Sequence, residues 1–101
     1  MRDLKNFFQQ MFLGSRGGPN RLRILAILKE KERNANELST ILGVDYSTAD
    51  HHLNVLLKNN LIVRSSEGYA GMYKLSAISV ENWQAIQEIL EKLNKAETGG
   101  D

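Results

Sequence analysis

The chain has 101 residues, 42% hydrophobic and 25% charged, with a formal net charge of +1. That is the balance of one ordinary globular domain with a modest core, which a partner subunit would help to complete. No cysteine is present, which excludes disulfides and thiolate metal sites. Charge is unevenly spread: residues 1–33 hold eight Lys/Arg against three Asp/Glu, and residues 76–101 two against five. The basic half is where a phosphate backbone would be drawn.

Leu4, Phe7, Phe8, Met11 and Phe12 have helical spacing and predict a helix over residues 3–13. Asp3, Lys5, Gln9 and Gln10 among them rule out a signal peptide or a membrane span, and the chain is expected to be cytoplasmic. The run Gly14-Ser15-Arg16-Gly17-Gly18-Pro19 ends that helix. A second helix is expected from Pro19 or Asn20 to Lys31, with Pro19 in its first turn. Its dense apolar set, Leu22, Ile24, Leu25, Ile27 and Leu28, places it at the centre of the core. Gly17-Gly18 is not followed by the Lys-Ser/Thr of a phosphate-binding loop.

Asn34 and Glu37 have the spacing of a capping box and open a short helix with Leu38, Ile41 and Leu42 as its buried face. Gly43 supplies a left-handed terminator, and Asp45 is the N-cap of the next helix. That helix, Tyr46–Lys58, turns Ala49, Leu53, Leu56 and Leu57 inward. Asn59-Asn60 stops it. Leu61–Ser65 and Met72–Leu75 read as strands around a turn at Glu67–Gly71. Residues 80–96 are expected to form a last helix, with Trp83, Ile86, Leu90 and Leu93 as a heptad-like seam.

The order helix, glycine turn, helix, hairpin describes a winged helix-turn-helix, a mainly α fold of order α-α-α-α-β-β-α with a small β-hairpin. Residues 1–97 are expected to be one domain, residues 98–101 a disordered tail. Ser47, Asp50, His51, Asn54 and Lys58 share the outer face of the recognition helix. Hydroxyl, imidazole and amide groups can read base edges; Asp50 repels phosphate and so would serve selectivity. Arg16, Arg21 and Arg23 flank the start of the second helix, placed for phosphate contact or for surface charge and ion pairing. His51 and His52 point about 100° apart and cannot chelate one ion together; His52 is expected at a helix seam or on a backbone group. Tyr69 and Tyr73 fall on the wing, for stacking or cross-strand packing.

The segment Glu37-Leu38 … Leu42-Gly43 … Ser47-Thr48 … His52-Leu53 … Val55-Leu56 … Asn60-Leu61-Ile62 resembles the arsenical-resistance-repressor (ArsR) family. More narrowly, the chain is similar to the stand-alone archaeal winged-helix regulators of that superfamily. The likeness spans residues 14–76, the expected winged-helix core. It implies a homodimer on double-stranded DNA, with residues 1–13 and 79–97 as dimerisation helices. Leu4, Phe7, Phe8, Met11, Phe12, Trp83, Ile86, Leu90 and Leu93 would form an apolar stripe for the partner. It further implies DNA contacts from Ser47, Thr48, Asp50 and His51, with Asn54 one turn on and Arg64, Lys74 and Gly68–Gly71 on the wing. The recognition-helix cysteines and last-helix His/Asp ligands of the metal-sensing members are missing, so no metal is expected. No cofactor or catalytic constellation is called for, and the sequence names no small-molecule effector either way. A second reading of the same fold is an architectural or protein-interaction module of a transcription or chromatin assembly.

Overall fold

The computed structural model describes residues 4–65 and 71–98. Its elements run α1 (Leu4–Leu13), α2 (Gly18–Glu30), α3 (Ala35–Leu42), α4 (Tyr46–Lys58), β1 (Ile62–Arg64), β2 (Tyr73–Leu75), α5 (Ala77–Glu81) and α6 (Trp83–Thr98). The expected wing tip lies largely in residues 66–70, which with Gly99–Asp101 of the expected tail fall outside the described residues. Thr98 closes α6.

Local chemistry sets most boundaries. The capping box is formed in both directions: Glu37 N–H donates to Asn34 Oδ1 at 2.8 Å, and Asn34 N–H to Glu37 Oε1 at 3.0 Å. Asn34→Ala is expected to cost about 1 kcal/mol, a fall of roughly 4–8 °C in thermal midpoint. A melt unchanged within error would show that the cap stabilises nothing. Gly43 adopts φ +74°, and its N–H and that of Val44 close α3 on the Ser39 carbonyl. Asn60 ends α4 in the same left-handed way, at φ +61°. There Asn60 N–H donates to Leu57 O and Leu61 N–H to Leu56 O, the paired bonds of a Schellman motif.

β1 and β2 pair antiparallel with Ile62 opposite Leu75 and Arg64 opposite Tyr73. The pleat turns Ile62, Tyr73 and Leu75 inward and Val63 outward, while Arg64, on the same face as Ile62, is exposed at the end of the strand against Tyr73. Tyr73 also bridges to Arg33, which adds a third extended contact that the sequence pattern did not suggest.

α2 occupies the centre, with Leu22, Ile24 and Leu25 fully buried and α1, α3, α4, α6 and β2 around it. Three expectations are corrected. Ile41 is 48% exposed, because an eight-residue helix set on α2 and α4 buries the face Ala35, Leu38 and Ser39. The last helix begins earlier and in two pieces: Ser76 accepts from Ser79 N–H to start α5, and Asn82 separates α5 from α6. Phe8, Phe12, Ile86 and Leu93 are not an exposed stripe, because α1 packs along α6 within the chain and buries all four. Of that set, Leu4, Phe7, Met11, Trp83 and Leu90 remain partly open. One ion pair, Lys5 Nζ to Glu88 Oε1 at 3.6 Å, lies along the same seam.

Candidate nucleic-acid interface

α3, the Gly43 turn and α4 form the helix-turn-helix, and the hairpin stands beside it. Asp45 caps α4: its Oδ1 accepts from Thr48 N–H at 2.8 Å and from Ser47 Oγ at 3.1 Å. Hydrogen bonds from Thr48, then Ser47, hold this carboxyl below its ordinary pKa and keep it charged at the positive end of the helix. With the start of α4 fixed, residues 47, 51, 54 and 58 fall on one stripe. Ser47, His51, Asn54 and Lys58 are all exposed. Thr48 and Asp50 are half-buried at its flank, and Asn54 Nδ2 approaches Asp50 Oδ2 at 3.5 Å. The inner face is Ala49, His52, Leu53 and Leu56. The face carries hydroxyl, imidazole, amide and ammonium groups, a mixed donor and acceptor set suited to base edges and phosphates.

Among the arginines the structure separates roles that the sequence left together. Arg16 is exposed in the α1–α2 loop, and Arg23 is half-exposed and donates to Asn20 Oδ1 at 3.1 Å. Arg21 is corrected as a DNA contact, since it is only 8% exposed. Its Nη2 donates to Ser15 Oγ at 2.9 Å, and Ser15 Oγ donates to Met11 O at 2.7 Å. Its Nη1 lies 3.3 Å from His52 Nδ1, and its Nε is buried with no partner. His52, 6% exposed, does sit at a helix seam, but it meets a guanidinium there instead of a backbone group. Burial, then the charge of Arg21, then that of His51, lowers the His52 pKa from its ordinary 6.5. Neutral His52 can accept from Arg21 at Nδ1; charged His52 cannot. This network ties the α1–α2 loop and α2 to the back of the recognition helix.

On the hairpin, Lys74 is half-exposed and Arg64 exposed. Arg64 Nη1 donates to Tyr73 Oη at 3.0 Å, and its Cζ sits 5.2 Å from the Tyr73 ring centre. Tyr73 is thus a buried wing residue that holds an exposed cation. Tyr46, 54% exposed in the first turn of α4, was missed by sequence reasoning. The available signal was its place directly after the Asp45 cap, where an aromatic has no core to fill. Among the described residues, no group of three or more His, Cys, Asp or Glu could hold a metal ion, and no helix is long and apolar enough to cross a membrane.

Comparison with known proteins agrees with this geometry. Residues 18–63, from α2 through most of β1, match the model of the bacterial regulatory protein, arsR family. No curated protein matches the chain. Among solved structures, Rv0081 of Mycobacterium tuberculosis is 26% identical with a TM-score of 0.65, over 93% of this chain and 92% of that one. Reduced HlyU of Vibrio cholerae is 28% identical with a TM-score of 0.63, over 89% and 88%. In fold the chain also resembles the homodimeric winged helix-turn-helix DNA-binding domain of Mycobacterium bovis Mb0332, a possible ArsR-family regulator, with 23% identity, a TM-score of 0.65 and coverage of 87% and 79%. The narrower archaeal likeness finds no support among these bacterial proteins. Fold, turn and family model agree over residues 18–63: this stretch folds as a winged helix-turn-helix and matches the arsR family of bacterial regulatory proteins.

Proposed function

We propose that this protein is a sequence-specific double-stranded DNA-binding regulator of transcription that acts as a homodimer in the cytoplasm. The observation that carries the reading is the exposed polar stripe Ser47, His51, Asn54 and Lys58, on a helix whose start is fixed by Asp45 and whose back is buried. α4 enters the major groove, with Ser47, His51 and Asn54 at base edges and Asp50 and Thr48 at their flank. Lys58, Arg16, Arg64 and Lys74 meet phosphates, which position the helix without reading sequence. The function needs no catalytic step, cofactor or metal.

Dimerisation through the terminal helices is supported by the partly open Leu4, Phe7, Met11, Trp83 and Leu90. Exposed Ile78 and Val80 on α5 add apolar surface. The homodimeric state of the Mb0332 domain, of the same fold, points the same way. Residues 1–97 then act as one domain, its terminal helices doing double duty as core and interface.

The test is a selection of genomic duplexes by the purified protein, repeated for Ser47→Ala, His51→Ala and Asn54→Ala. The expected result is one inverted repeat with half-sites about one DNA turn (~34 Å) apart. Each variant should relax the preference at one position, by about 1–3 kcal/mol where a bidentate contact is lost. Diffuse recovery that the variants leave unchanged would replace this reading with the architectural one.

A further inference from the structure

A cleft of about 330 Å³ opens between the recognition helix and the wing, bounded by Asn34, Ala35 and Asn36, by Tyr46 and Asp50, and by Arg64, Gly71 and Tyr73. If α4 lies in the major groove with the hairpin alongside, the ridge passing between them is a sugar-phosphate strand. The cleft is where that strand meets the protein.

The chemistry fits a phosphate. Arg64 supplies a guanidinium that, among the described residues, no carboxylate pairs with. One of its nitrogens is occupied by Tyr73 Oη and its plane is held near the ring, so the side chain loses little freedom when the remaining donors engage an anion. Tyr73 is itself pinned by pairing with Arg64 on one side and Arg33 on the other. Tyr46 lines the same cleft, and its hydroxyl is the group it can offer as a second donor. Asp50 lines it too, beside Asn54, and its charge confines an anion to the Arg64 side.

We propose that this cleft seats one backbone phosphate of bound DNA, with Arg64 as the charged contact, Tyr46 as a second donor and Tyr73 as a positioning residue. The proposal rests on the DNA-binding reading above. It assigns a role to Tyr46 and Tyr73 that the helix-turn-helix alone does not.

The experiment measures affinity for a random-sequence duplex of fixed length at several salt concentrations, for the full chain and for Arg64→Gln, Tyr46→Phe, Tyr73→Phe and Arg64→Gln/Tyr73→Phe. Arg64→Gln should weaken binding about tenfold. It should also flatten the plot of log affinity against log salt by about 0.9 per cleft. Tyr46→Phe and Tyr73→Phe should each weaken binding several-fold, evenly across sequences. Tyr73→Phe should add nothing once Arg64 is gone, which a merely structural tyrosine would not obey. An unchanged salt slope in Arg64→Gln, or additive losses in the double variant, would overturn the cleft while leaving DNA binding intact. A wild-type chain that binds no duplex at any salt would overturn both.

Discussion

Gly18→Ala is expected to lower the thermal midpoint by roughly 12 °C or more, corresponding to about 3 kcal/mol, the upper end of the overpacking range. A Cβ at this position would lie 2.2 Å from Phe12 O and 2.5 Å from Phe12 C. Both obstacles are backbone, at the end of a helix whose Phe12 side chain is fully buried, so no rotamer change relieves them. Gly18 therefore sets how closely the end of α1 approaches the start of α2. Two neighbours calibrate the effect. At Gly17 a Cβ would meet Arg21 Nη1 at 2.5 Å and His52 Cε1 at 2.8 Å, which are side-chain ends able to shift at the expense of their hydrogen bond. At Gly43 nothing lies within 4 Å, and only the φ of +74° opposes alanine, a strain of about 1–2 kcal/mol. Melting curves followed by circular dichroism should rank Gly18→Ala as the most damaging of the three. A Gly18→Ala midpoint within 2–3 °C of wild type, roughly the shift from half a kcal/mol, would mean that α1 can move off α2 freely.

What was legible in the sequence was local. The Asn34–Glu37 box, Gly43, the Asp45 cap and the Asn59-Asn60 stop each depend on contacts a few residues apart, and each is formed where the sequence placed it. The Ser76 cap belongs to the same class; its signal was present in Ser76 followed three residues later by Ser79, a hydroxyl that the structure carries on to Leu61 O at 2.7 Å. The polar stripe of α4 follows from helical period once its cap is known. What could not be read was which faces meet. Phe8, Phe12, Ile86 and Leu93 are equally good for a partner or for each other, and only the return of α6 onto α1 decides it. Arg21 looked like its neighbours Arg16 and Arg23, and its burial arises where α2 crosses α4 over Gly17. The Arg64–Tyr73 contact depends on a register that the wing residues set only after pairing.

The Arg21–His52 seam should make stability fall on mild acidification. His52 has a folded pKa lowered from its ordinary 6.5, by burial first and then by Arg21 and His51, so the unfolded chain binds the proton more readily. Above about pH 6.5 both states hold a neutral imidazole and the contribution is fully present. As pH falls below that value the unfolded state gains protons first, and stability is lost until the folded pKa is passed. One proton sets a limit of about 1.4 kcal/mol per pH unit. The groups facing His52 are Arg21 from α2, Gly17 from the α1–α2 loop and His51 on its own helix, and among the described residues no carboxylate pairs with it to offset the new charge. Asp45, also lowered, contributes to the pH dependence only below its ordinary 3.8, outside the range of pH 5.5 to 7.5 in which His52 is tested. Urea unfolding at pH 7.5, 6.5 and 5.5 should show a decline in the wild type that His52→Gln flattens. Equal slopes in the two proteins would place the titrating group elsewhere. His52 sits on the buried side of the helix that carries Ser47, His51 and Asn54, so the proton that costs stability enters directly behind the proposed reading face.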